Sequence, residues 1–128
     1  MQIETIKVID DVMTALGIPY EYDEFTDSIE SLDQFWVGEY QETEPTSEGG
    51  QEDATFILTG TAKNSLLLLE QTKNLIKQSF PAIEGKKAIL ENGTGVAIFY
   101  ANSFSVPTGN EYLKRLQINL TVKEWMVN

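Results

Sequence analysis

Apolar residues recur over residues 2–16 at spacings of three and four: Ile3, Ile6, Ile9, Met13 and Leu16. That period predicts an amphipathic helix. Gly17, directly after the last apolar position, and Pro19 beyond it are its stop signals. The period then shortens to two. Tyr20–Phe25 alternates aromatic and acidic residues, as a half-buried or edge strand does. Residues 26–33 are a polar connection with room for one helical turn at Ser28–Leu32. Phe35–Thr43 is the next strand, with Phe35, Val37 and Glu39 on one face and Trp36, Gly38 and Tyr40 on the other. Pro45, Ser47, Gly49 and Gly50 break Glu44–Asp53 into a loop. Ala54–Thr61 returns as the partner strand, Phe56 and Leu58 on one face and Ile57 opposite, giving a long β-hairpin.

A second helix is predicted over 65–79. Leu69, Thr72, Ile76 and Phe80 fall along one line, with Leu68 and Leu75 beside it. Asn64 or Ser65 supplies the N-cap, Leu68 stands where a capping box has Glu, and Pro81 ends the helix. Lys87–Glu91 is a short strand, Asn92-Gly93 predicts a two-residue type I′ turn, and Thr94–Ala101 is the partner. A polar turn with Pro107, Gly109 and Asn110 leads to a long last strand, Tyr112–Met126. There Leu116, Ile118, Leu120 and Val122 alternate with Gln117, Asn119, Thr121 and Lys123, so one face packs and one meets water. The order is α-β-β-β-α-β-β-β, with no internal repeat and no linker. It predicts one α+β domain over residues 1–128, a mainly antiparallel sheet packed by two helices.

Charge changes the picture more than length does. Twenty Asp and Glu stand against nine Lys and Arg, a net charge of −11. This serves solubility, or makes a surface that repels or imitates nucleic acid. Sequence-specific DNA binding is disfavoured, because it needs clustered bases and this chain has two short pairs, Lys86-Lys87 and Lys114-Arg115. The chain has no Cys and no His, which removes disulfides, thiolate nucleophiles, the usual general base and the commonest transition-metal ligand. The first residues, MQIETIKVIDDVM, lack the basic and apolar regions of a signal peptide. No apolar run approaches the length of a membrane span.

Several constellations invite a chemical reading. Asp10-Asp11, Tyr22-Asp23-Glu24 and Asp27 could be ligands for a hard cation, but they lack the spacing and obligate Gly of a calcium loop, and read as a solvated helix face and an acidic edge. Neither a catalytic carboxylate pair nor a phosphate cradle is readable, and no cofactor is implied. Glu39, Glu42, Glu44, Glu48, Glu52 and Asp53 gather around the hairpin loop. Two readings stay open for them: a partner-binding or DNA-repelling loop, or a loop made soluble by charge. Trp36 and Tyr40 lie opposite Phe35 and Val37, so this strand is apolar on both faces. A small domain rarely covers both, so one face is expected to meet another subunit. The candidate interface is therefore Trp36, Tyr40, Glu42, Glu44, Glu48 and Glu52.

The element order, and above all Phe35–Phe80 (WVGEYQE, the acidic loop, then FILTGTAKNSLLLLEQTKNLIKQSF), resembles the tail terminator, or tail-to-head joining, proteins of long-tailed bacteriophages and prophages. The likeness covers most of the chain as a pattern of elements and carries no catalytic signature. It implies a non-enzymatic virion subunit that closes into a hexameric ring, caps the tail tube and docks to the head connector, with DNA passing through the lumen. The expected partners are further copies of the chain, the tube protein and the connector; the expected location is the virion tail, and the host cytoplasm during assembly. Two rivals remain: another neck or head-completion protein, and an acidic DNA-mimic inhibitor. The mimic should array carboxylates at phosphate spacing, whereas here they sit mostly in a loop and a strand edge.

Overall fold

The computed structural model describes residues 1–26, 28–42 and 52–126. The elements follow the order α1 (Ile3–Ala15), β1 (Tyr20–Tyr22), β2 (Gln34–Glu42), β3 (Glu52–Lys63), α2 (Leu66–Ser79), β4 (Lys86–Ile89), β5 (Thr94–Ser105) and β6 (Leu113–Met126). The six strands make one mixed sheet in the order β1-β2-β3-β6-β5-β4. β1 runs parallel to β2, and the other four pairings are antiparallel.

α1 buries Thr5, Ile9 and Met13, one residue per turn, while Ile3 is exposed. The buried stripe is therefore rotated from the one drawn through Ile3. Thr5 points inward because its hydroxyl has a partner there, described below. The helix ends as its sequence predicts. Gly17, at φ +71°, donates its N–H to Thr14 at 3.0 Å, and Ile18 donates to Met13 at 3.1 Å. These are the two bonds of a Schellman cap, which needs a left-handed residue at Gly17.

β1 is shorter than the alternation of Tyr20–Phe25 predicts. Asp23, at φ +73°, turns the chain away after three residues while its N–H still reaches the Gly38 carbonyl at 2.7 Å. The β2–β3 hairpin pairs Gln34 with Ala62 through to Glu42 with Ala54. Within it Trp36 faces Gly60, and the indole lies against that glycine, so a methyl group there would collide with the ring.

α2 starts at Ser65, whose hydroxyl accepts the Leu68 N–H at 3.2 Å; Asn64, the other candidate cap, sits outside the helix at φ +59°. Leu69, Thr72 and Ile76 are buried, followed by Phe80. Leu75 is exposed, off the buried line.

The β4–β5 turn differs from a two-residue type I′ hairpin. Gly93 donates to the Leu90 carbonyl at 2.9 Å, and Leu90 donates to Thr94 at 2.8 Å, which encloses three residues. Asn92 keeps negative φ and only Gly93 is left-handed, at +86°. This is a type I turn closed by a glycine bulge. The Asn92 side chain stabilises it by accepting the Thr94 N–H at 3.0 Å. β4 accordingly ends at Ile89, and β5 runs on to Ser105 through an irregularity between Tyr100 and Asn102.

The register stacks one face of the sheet into cross-strand rows. Trp36, Gly60 and Leu116 share one row; Tyr40, Phe56, Leu120 and Tyr100 another; Ala54, Val122 and Ile98 a third. Ile9 and Met13 of α1 and Leu69, Ile76 and Phe80 of α2 belong to the same buried cluster as these residues. Both helices thus cover one face, and the core lies between.

Candidate assembly surface

The covered face absorbs the aromatic pair that the sequence offered as an interface. Trp36 is fully buried. Its indole N–H donates to Gln34 Oε1 at 2.9 Å, and the same oxygen accepts the Thr72 hydroxyl at 2.8 Å. The tryptophan therefore anchors β2 to α2 within one chain. Tyr40 lies on the same face, half-buried, packed against the core and stacked on Tyr22 with ring centroids 6.4 Å apart. Trp36 is thus enclosed within its own chain, where the sequence offered it as an interface residue, while Tyr40 keeps part of its surface exposed.

Glu42 is exposed, and its carboxylate is joined to the Met1 ammonium. That ammonium also stands 3.7 Å from Glu124. Glu124 is buried and accepts the Thr5 hydroxyl at 2.8 Å and the Gln2 N–H at 3.1 Å. This carboxylate was not among the candidates, yet its signal is present. It continues the inward alternation of Leu116, Ile118, Leu120 and Val122 by one more step. The cluster ties the start of α1 to the end of β6. Glu44 and Glu48 lie outside the described residues. Glu52 opens β3 opposite Glu124, and its side chain is likewise outside them.

The other face of the sheet carries no helix among the described residues. Its rows are Phe35–Thr61–Arg115, Val37–Thr59–Gln117–Phe104, Glu39–Ile57–Asn119–Asn102, Gln41–Thr55–Thr121–Phe99 and Asp53–Lys123–Ala97–Lys87. The centre is polar. Gln117 donates to Asn119 at 3.0 Å and Asn119 to Asn102 at 2.8 Å, an amide chain running across β6 and β5. The flanks are aromatic. Phe25 packs on Phe35 at 5.0 Å, and the Lys123 ammonium lies 5.9 Å from the Phe99 ring. Strands paired with neighbours on both sides and uncovered on one face make a broad, half-exposed platform, with Phe104 well exposed at its margin.

At the β1 edge, burial pushes the Tyr20 hydroxyl far above its ordinary value, with Asp10 and Tyr22 adding to the effect. That hydroxyl is enclosed with no hydrogen-bond partner, facing Gly38. Among the described residues no group of three carboxylates is placed to hold a metal ion, and no helix is long and apolar enough to cross a membrane. Of the comparisons with known proteins, neither the family models nor the curated proteins include a match to this chain.

Proposed function

We propose that this chain is a structural subunit of a phage or prophage tail, a tail terminator that closes into a hexameric ring, caps the tail tube and joins it to the head connector. The observation that carries the proposal is the two-sided sheet. One face is sealed by α1 and α2, and the other is a half-exposed platform with a polar centre and aromatic flanks. An uncovered sheet face suits a part that meets other subunits rather than one that encloses a substrate. A single α+β domain, with two helices and six strands in one mixed sheet, suits the small subunit that the resemblance implies. The charge of −11 suits a lumen along which DNA slides without sticking.

The rival placement, another neck or head-completion component, shares all of these features and differs in what the ring touches. The DNA-mimic reading requires carboxylates in a regular array, and the acids described here are spread over a helix, a turn and a strand edge. The test is imaging of tail tubes assembled from the tube protein of the same virion, with and without this chain. The expected result is tubes of limited length with a six-fold ring at one end. Tubes that grow unchanged and carry no added density overturn the terminator reading.

A further inference from the structure

The two outer edges of the sheet differ in charge. Residues 1–63 hold fifteen of the twenty carboxylates and two of the nine bases, whereas residues 64–128 hold five carboxylates and seven bases. The strand order puts β1, β2 and β3 on one side of the sheet and β6, β5 and β4 on the other, while α1 crosses from Thr94 and Glu124 at its start to β1 at its end. β1 closes one side of the sheet and β4 the other. On the β1 side, exposed Asp23 and Glu24 follow the strand, and α1 packs beside it with Asp10 and Asp11 exposed. On the β4 side, Lys86 and Lys87 are both exposed on the edge strand, and Lys123 lies in the same cross-strand row as Lys87. Glu84 and Glu91 occupy the turns at either end of β4 and leave the strand itself purely basic.

Both sides also expose apolar side chains. Ile83 and Ile89, 92% and 73% exposed, flank the two lysines, and Tyr22 is exposed on the acidic side. We infer that the basic β4 edge of one copy docks on the acidic β1 side of the next, head to tail. The partner is a second copy of this chain, and the pairing is lysine to carboxylate around an apolar contact. β1 has only three residues, so a shared backbone ladder would be short and side chains must supply most of the contact. A head-to-tail contact uses two different surfaces of each copy, so it repeats, and it closes a ring when the rotation permits. The inference rests on the ring reading above and names the contact by which the ring would form.

The net charge sets the conditions for a test. Two chains at −11 repel over long range. At about 0.15 M salt the screening length is about 8 Å, which suppresses that repulsion and leaves facing charges in contact. The experiment compares native protein with K86E/K87E and D23N/E24K by sedimentation velocity and light scattering, up to millimolar concentration. Asn replaces Asp23 because it tolerates the left-handed backbone there. All four positions are exposed, and a thermal melt of each variant checks that the fold is kept.

The native chain should associate, and each variant alone should associate about tenfold more weakly or worse, since like charges then face one another. An equal mixture of the two should recover association, because each contact in an alternating array again joins opposite charges. A variant that associates like the native chain, a mixture that fails to recover, or a native chain that stays monomeric overturns this contact. Rings seen on tail tubes but indifferent to these substitutions would sink the contact and leave the ring reading standing. Charge-dependent association without rings on tubes would do the opposite.

Discussion

The two faces of this sheet are built from the same strands by the same alternation, yet they differ in almost every physical respect. On β3, Phe56 and Leu58 are fully buried under the helices, while Ile57 and Thr59 between them are half-exposed. On β6, Leu116, Ile118, Leu120 and Val122 are inside, while Gln117, Asn119, Thr121 and Lys123 face the open side. Covering one face is enough to fix the register, because a slip of one residue would exchange the two sets. The open face is then free to carry side chains chosen for something other than folding. The comparison makes burial, rather than strand position, the property that decides what a substitution does.

The largest test of this difference is Phe56→Ala, which empties a fully buried site and should cost about 3–5 kcal/mol. Ile57→Ala, one residue along the same strand, should cost far less, and urea midpoints of the two variants measure the contrast. Equal costs would mean that the open face is packed as tightly as the core. Next in size is Glu124→Ala. It removes the buried acceptor of the Thr5 hydroxyl and the Gln2 N–H, which should cost about 2 kcal/mol by the same measurement.

Tyr20→Phe should act in the opposite direction. Its enclosed hydroxyl has no partner, so removing it should raise stability by about 1 kcal/mol at neutral pH. The pH dependence follows in sign. Burial, Asp10 and Tyr22 hold the folded hydroxyl above its ordinary value of 10.0, so the unfolded chain ionises first. The native chain therefore keeps its neutral-pH stability below pH 10.0 and loses stability as the pH rises beyond it. Native protein should therefore lose stability above that pH more steeply than Tyr20→Phe in unfolding titrations. The smallest effect is expected on the open face: Asn119→Ser should shift stability by no more than about 0.5 kcal/mol. A large loss there would show that the amide chain from Gln117 to Asn102 holds the sheet together.

Local periodicity made much of this fold legible. The Gly17 stop, a cap at Asn64 or Ser65, the inward row of β6 and the α+β class with two helices follow from residues near one another in sequence. What stayed hidden depends on distant partners. A three-residue strand carries too little pattern to announce that it pairs parallel to β2. Trp36 and Tyr40 looked like an interface because the strand is apolar on both sides, and only the placement of two helices on one face reveals which side is closed. Glu124 shows the reverse case: its alternation was readable, but a carboxylate at an inward position makes sense only once Thr5 and Gln2 are seen beside it. The acidic character of the first half was also plain, whereas the placing of Asp23 and Glu24 at one edge depends on the strand order.

That strand order has a consequence for how the chain is made. β3 and β5 both pair with β6, the last of the six strands to leave the ribosome. Until β6 arrives, the nascent chain holds two separate fragments, a three-stranded piece from β1 to β3 and a hairpin of β4 and β5, which share no ladder. Nearly every stabilising contact at the centre therefore waits for the longest-range pairing in the molecule, which predicts slow, all-or-none folding. During that interval the inner edge of β3, Phe56 and Leu58 included, is open to other nascent chains. An unpaired β3 at that stage is where aggregation competes with folding.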